Sequence, residues 1–117
     1  MASSTEQKAA CYGKAATLDT MVEYAADSVV SKTLLDKPAG TLTLFSFDAG
    51  QGLSEHTAPY DAVVQVVDGR AVVTIDGQDH TVETGQMIMM PANVPHSLRA
   101  NERFKMLLTM IRSKVQP

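Results

Sequence analysis

Two of the three histidines, His56 and His96, are the residues of this chain best suited to chemistry. Each follows a turn-like stretch and precedes an apolar run. A neutral imidazole binds transition metals, and near neutral pH it also accepts or donates a proton. The pair therefore predicts a metal site or a proton-transferring pocket. Tyr60 is a third catalytic candidate, since it could supply a hydroxyl at the mouth of such a pocket or cap it as a loop residue.

The segments that must position these residues have the pattern of β-strands. Short runs rich in apolar and β-branched residues lie at 28–35, 41–47, 62–67, 70–75, 80–83, 87–90, 97–100 and 104–111. In the last run, alternation predicts one shared face for Phe104, Met106, Leu108 and Met110. The Asp-Gly pairs at 68–69 and 76–77 each predict a hairpin turn. Short strands at this spacing indicate an all-β sandwich or barrel.

Length and composition favour one globular domain without nucleic-acid or membrane partners. The chain has 117 residues and a net charge of −3, and it has no basic cluster that nucleic acid or an anionic membrane would require. Cys11 is the only cysteine, which excludes an intramolecular disulfide. No apolar run approaches the roughly 20 residues of a membrane span. We expect a soluble cytoplasmic protein.

The domain boundaries follow from where the strand pattern begins and ends. Residues 1–27 are predicted to be a tail with a short helical or irregular segment, residues 28–112 the barrel, and residues 113–117 a C-terminal tail. Within the first part, apolar spacing from Leu18 to Ala25 predicts one helical turn. Thr20 and Glu23 are candidates for a capping box there.

The glycines, the proline and the two histidines together resemble a known family. Residues 50–69 have the pattern G-x5-H-x-A-x3-A-x6-G and residues 85–100 the pattern G-x5-P-x-N-x2-H-x3-A. These spacings are similar to the two motifs of small single-domain cupins of the type-2, RmlC-like kind. The resemblance implies a double-stranded β-helix, a jelly-roll-like barrel of two antiparallel sheets with a short N-terminal extension. It also implies a homodimer, with strand 28–35 as the element expected to be shared.

The resemblance also implies a ligand set for a metal. Cupins usually hold a divalent transition metal (Zn, Ni, Fe or Mn) with two histidines and a glutamate of the first motif and the histidine of the second. Those positions here are His56, Ala58, Ala62 and His96, so two of the four are methyl groups. In one extended strand the first three would share a face. Because a stable site normally has three or four protein ligands, we expect the metal to be held weakly or not at all.

Two kinds of side chain are candidates to complete this set. Asp61 and Gln65 carry oxygen donors, but in a regular strand they face away from Ala62, and only a bulge would bring one inward. Thioethers are the alternative, and two imidazoles with a thioether would suit Cu(I). The methionines of this region are Met87, Met89, Met90, Met106 and Met110. They would equally fill a core that is poor in aromatic residues.

Three functions remain compatible with these residues. The preferred one is a binding protein that holds a small polar or acidic metabolite between His56, His96 and an apolar wall. The second is a metal-dependent oxygenase, isomerase or lyase, and the third is metal-free acid/base catalysis by the two imidazoles. Whether the protein is an enzyme stays open, because a fold does not determine a reaction.

Overall fold

The computed structural model describes residues 11–112, which form eight strands and one short 3-10 helix at Leu18–Thr20. The strands are β1 Val29–Lys37, β2 Gly40–Phe47, β3 Gly52–His56, β4 Tyr60–Ile75, β5 Gln78–Glu83, β6 Met87–Met90, β7 His96–Arg99 and β8 Phe104–Arg112. The predicted all-β fold is confirmed. Predictions for residues 1–10 and 113–117 lie outside the described residues.

The strands make two antiparallel sheets that share β4. The first sheet has the order β1-β2-β8-β4, with β6 on the other side of β4. In the second sheet β4 lies between β5 and β7, and β3 pairs with β7. The part of β4 before Arg70 belongs to the first sheet and the part from Arg70 onwards to the second. The two sheets curl around one core as a barrel.

Alternating residues of the central strands form that core. In β4, Ala62, Val64 and Val66 are buried, because successive strand side chains point to opposite faces. Aromatic packing adds to the core, where the buried rings of Phe47 and Phe104 stack with centroids 4.5 Å apart.

The shared face predicted for the last strand is confirmed. Phe104, Met106 and Leu108 are buried, and Met110 is partly buried against the same core. Lys105 is also buried, although it belongs to the opposite face. It is covered from outside by the N-terminal segment.

One of the two predicted hairpin turns is wrong. The chain does not reverse at Asp68 and Gly69, because β4 continues through both. The ladder with β8 shifts register between Val66 and Asp68, as at a β-bulge. Gly69 has φ +76°. The Asp-Gly pair therefore corresponds to a residue with left-handed backbone geometry, at the point where β4 passes from one sheet to the other. The predicted turn at residues 76–77 is confirmed, since it joins β4 to β5 with φ values of 50° and 79°.

The segment before β1 is less helical than predicted. Within residues 11–28, only Leu18–Thr20 is helical, and it is a 3-10 turn. The predicted capping box is also wrong, since the Thr20 hydroxyl donates to the Thr17 carbonyl. Tertiary contacts replace local structure: the Ser46 hydroxyl donates to the Glu23 carbonyl.

Further contacts fasten this segment to the first sheet. The Lys105 ammonium donates to the Asp19 carbonyl, and the Tyr24 hydroxyl donates to the Asp68 carboxylate. Lys105 and Arg103 also lie over the Tyr24 ring, 4.7 and 4.5 Å from its centroid. The segment therefore covers the outer face of the first sheet near the bend in β4.

Two further observations concern the surroundings of the barrel. No helix within residues 11–112 is long and apolar enough to cross a membrane.

β1 lies at the edge of the first sheet and pairs with β2. The homodimer expected through this strand stays a prediction.

Candidate functional site

His56 and His96 lie side by side in the second sheet. His56 is the last residue of β3, His96 is the first of β7, and the two are paired in the β3–β7 ladder. Their Nε2 atoms are 3.2 Å apart. The rings meet edge to face, with an interplanar angle of 74°. The fold thus brings together two histidines that are 40 residues apart in sequence.

Backbone carbonyls orient both rings. His56 Nδ1 lies 2.8 Å from the Ser54 carbonyl oxygen and His96 Nδ1 lies 3.1 Å from that of Val94. A carbonyl oxygen only accepts, so each Nδ1 must carry the hydrogen and donate it. In a neutral imidazole the other nitrogen, Nε2, then presents a lone pair. Two lone pairs therefore face each other across 3.2 Å, an arrangement that favours a shared proton, a common donor or a cation.

A small cavity with mostly apolar walls opens beside the two histidines. Its volume is about 50 Å³. Leu53, Leu98 and Met106 are among the apolar residues that line it. A site of this volume holds about four water-sized groups, far less than the roughly 300–1,000 Å³ of typical ligand pockets.

Several residues singled out from the sequence line this cavity. They are His56, Ala58, Tyr60, Ala62, Met90, His96, Met106 and Met110. The other two methionines of the region, Met87 and Met89, are 50% and 64% exposed. Tyr60 also contacts Arg112, whose guanidinium lies 5.1 Å from the ring centroid.

The two oxygen-bearing candidates are placed elsewhere. The Asp61 carboxylate accepts a hydrogen bond of 2.9 Å from the Ala92 N–H. Gln65 is exposed and lines a different depression. From Tyr60 to Val66 the ladder with β8 is regular, so no bulge turns either side chain towards the histidines.

The expectation that one strand carries the first-motif positions is wrong. β3 ends at His56 and β4 begins at Tyr60. The loop between them is held by a 2.8 Å hydrogen bond from the Asn93 N–H to the Ala58 carbonyl. Ala58 thus reaches the cavity from a loop and Ala62 from a separate strand. Both residues line the same cavity because the barrel closes there, not because strand alternation places them on one face.

Leu53 and Leu98 are cavity residues that sequence reasoning missed. Leu98 lies two residues after His96 in β7, so strand alternation places it on the same face, a signal that was available. Leu53 pairs with Leu98 across the β3–β7 ladder. The ladder shifts register between Leu53 and His56, and therefore counting from the histidine alone could not identify Leu53.

The donor set does not fit the divalent metal that the sequence resemblance implies. Residues 11–112 contain no group of three or more His, Cys, Asp or Glu side chains arranged to hold a metal ion. The cavity offers two imidazoles, and the other two expected ligand positions are methyl groups. First-row divalent metals normally take three or four protein ligands.

Burial affects the protonation of one of the two histidines. Burial lowers the pKa of His96 below its ordinary value of 6.5. The hydrogen bond to the Val94 carbonyl raises this pKa, and the charge of His56 lowers it. Burial dominates because an imidazolium loses hydration in the apolar cavity. Near neutral pH His96 is therefore neutral and keeps its Nε2 lone pair.

This shift predicts a pH dependence of stability. As pH falls below about 6.5, the unfolded chain binds a proton at His96 before the folded chain does. The free energy of unfolding should therefore decrease as pH falls from about 6.5 to the folded pKa, and His96 should contribute no change above pH 6.5. Denaturation between pH 5.5 and 7.5, with a parallel NMR titration of the His96 ring, measures both effects. The decrease attributable to His96 should be absent in His96→Phe; an equal slope in both proteins would contradict the assignment.

Comparison with known proteins shows the family. A family model described as a cupin domain matches residues 43–111. None of the curated proteins matches the sequence. The solved structures include many similar folds.

Three similar structures illustrate the extent of the likeness. A conserved protein of unknown function from Streptococcus pyogenes is 38% identical with a TM-score of 0.84, covering 89% of this chain and 91% of that one. A Cupin 2 conserved barrel domain protein from Leptotrichia buccalis is 41% identical with a TM-score of 0.78, covering 80% of this chain and 46% of that one. A cupin superfamily protein from Desulfitobacterium hafniense is 29% identical with a TM-score of 0.79, covering 82% and 88%.

The family model covers more than half of the chain, and the barrel of two antiparallel sheets agrees with it. The chain belongs to the cupin family.

Proposed function

We propose that this protein binds a small polar metabolite in the cavity beside His56 and His96. The observation that carries the proposal is the 3.2 Å approach of the two Nε2 atoms at a cavity with apolar walls. Each Nδ1 already donates a hydrogen bond to a backbone carbonyl. The lone pairs of both Nε2 atoms are therefore available to a ligand. A ligand that donates a hydrogen bond would relieve the unfavourable meeting of two lone pairs.

The cavity restricts the size and polarity of the ligand. A volume of about 50 Å³ suits a molecule of about four heavy atoms, such as a short alcohol or hydroxy acid. Its polar end would contact the imidazoles, and its apolar end would lie against Leu53 and Leu98. Binding without turnover is the preferred form of this function, since the two imidazoles alone suffice for recognition.

Methionine methyl NMR tests the proposal with internal controls. The metal-free protein, labelled at the methionine methyl carbons, is titrated with glycolate and propane-1,2-diol, whose hydroxyl groups donate hydrogen bonds, and with glucose as an oversized control. At least one small probe should shift the methyl signals of Met90, Met106 and Met110. The signals of the exposed Met87 and Met89 should stay unchanged, as should all five with glucose.

Two variants connect the response to the imidazoles. His56→Phe and His96→Phe keep an aromatic ring but remove its nitrogens, and each should weaken probe binding by about tenfold or more. The proposal fails if no small probe shifts the cavity methyls. It also fails if both variants bind the probes as tightly as the unaltered protein.

A further inference from the structure

We propose that the same cavity binds one Cu(I) ion through His56, His96 and the thioether of Met90 or Met110. This inference shares the cavity with the proposed function but requires a different ligand, so either can fail without the other. It depends on three features of the described residues: the position of the methionines, the charge of the donor set and the spacing of the imidazoles.

The strand register places two methionines around Ala62. Ala62 is paired with Met90 on one side and with Met110 on the other, and all three line the cavity. Directly opposed residues of an antiparallel ladder share a face, with Cβ atoms about 4.5–5.5 Å apart. Because Ala62 ends at a methyl group, the longer thioether side chains have access to the space above it. Soft donors thus flank the position where the sequence resemblance expects a carboxylate.

The charge of the donor set favours a monovalent ion. Imidazole and thioether are neutral, and the carboxylate of Asp61 is engaged with the Ala92 N–H. A divalent ion would therefore keep its full charge against apolar walls, where an uncompensated charge is costly. Cu(I) has half that charge, and thioether and imidazole are among the ligands that bind it. A site with these donors should prefer Cu(I) to Zn(II).

The spacing of the imidazoles suits one shared ion. With metal–nitrogen distances of about 2.0–2.1 Å, an Nε2···Nε2 separation of 3.2 Å corresponds to an angle of about 100–106° at the metal. This angle leaves room for a third donor in a trigonal or tetrahedral arrangement. The Nδ1 hydrogen bonds to the Ser54 and Val94 carbonyls are of the kind that hold metal-binding imidazoles in place.

The first test measures affinity and stoichiometry. Cu(I) is titrated anaerobically in competition with a chromogenic Cu(I) chelator, and Zn(II) is titrated separately. All proteins carry Cys11→Ser, because Cys11 is a free thiol and thiols also bind Cu(I). We expect one Cu(I) per chain, bound at least about a hundredfold more tightly than Zn(II). Zn(II) affinity equal to or above that of Cu(I), or less than one Cu(I) per chain, would overturn the proposal.

The second test identifies the thioether without depending on a variant. Ag(I), a diamagnetic substitute for Cu(I), is added to protein labelled at the methionine methyl carbons. The methyl signal of Met90 or Met110 should shift in slow exchange at one equivalent, while that of the exposed Met89 should not. Equal shifts at Met89, or none at the cavity methionines, would count against a cavity site.

Variants then separate the thioether from the imidazoles. Met90→Leu and Met110→Leu preserve most of the volume, and the one that removes the ligand should weaken Cu(I) binding about tenfold while leaving Zn(II) binding unchanged. Met89→Leu is the matched control and should change neither. His56→Phe should weaken Cu(I) binding about a hundredfold. If Cu(I) affinity is the same in both cavity variants and in their double variant, neither Met90 nor Met110 binds the ion and the proposal is wrong.

Discussion

The double variant Ala58→His, Ala62→Glu is expected to bind Zn(II) or Ni(II) at least about a hundredfold more tightly than the unaltered protein. Ala58 and Ala62 line the same cavity as His56 and His96. Their replacement would raise the number of protein ligands from two to four and introduce the negative charge that the cavity lacks. Without metal the variant should be less stable, because a carboxylate at the buried position of Ala62 loses its hydration.

Calorimetric titration and thermal unfolding measure this gain. At a free metal concentration of 100 times Kd, binding should stabilise the folded variant by about 2.7 kcal/mol, whereas the unaltered protein should respond little. The matched control is Ala58→His, Ala62→Gln, which has nearly the same bulk without the charge and should bind more weakly than the glutamate variant. Unchanged affinity in the glutamate variant would show that these two positions do not face the histidine pair.

Gly69→Ala is expected to cost at least about 3 kcal/mol of unfolding free energy, the largest stability loss we predict. Gly69 has φ +76°, and a Cβ at this position would overlap the Arg103 carbonyl oxygen and press against Phe104. The Arg103 carbonyl belongs to the backbone directly before β8, and Phe104 is a buried residue of the β4–β8 ladder, so neither can move independently. The substitution therefore disturbs the point where β4 passes from one sheet to the other.

Gly77→Ala separates the two causes of this loss. Gly77 has nearly the same backbone angle, φ +79°, but a Cβ there would meet no atom within 4 Å. Its replacement should therefore cost only the left-handed strain, about 1–2 kcal/mol. Urea denaturation of both variants gives the difference, which is the contribution of the close approach. Equal losses would mean that Gly69 is required for its backbone angle alone.

The fold was largely predictable because its signals are local. Alternation in the last strand placed Phe104, Met106 and Leu108 on one face, and the structure buries all three. The Asp-Gly signal at residues 68–69 was misread because it reports a positive φ, which a bulge satisfies as well as a hairpin. Only the pairing of β4 with strands of both sheets distinguishes these outcomes, and pairing is not a local property.

The candidate site was predictable only in part. The sequence indicated His56 and His96, and the structure brings them together. It could not indicate that their Nε2 atoms converge, because the rings are oriented by the carbonyls of Ser54 and Val94. Every residue has a backbone carbonyl, and the direction of that carbonyl depends on backbone conformation. The residue type therefore does not predict it. Strand β3, which carries His56, was missed, since none of the predicted strand runs falls at Gly52–His56.

The position of β3 has a consequence for how the site opens and closes. β3 is a five-residue strand at the end of the second sheet, and its ladder partner is β7. Short edge strands belong to the least protected parts of a fold and unfold locally before the centre does. We therefore expect the strand that carries His56 to open more readily than the strand that carries His96, which is held between β3 and β4. A ligand that contacts both imidazoles would also hold β3 against β7. Ligand binding would therefore reduce local unfolding of β3, and local unfolding of β3 would release the ligand.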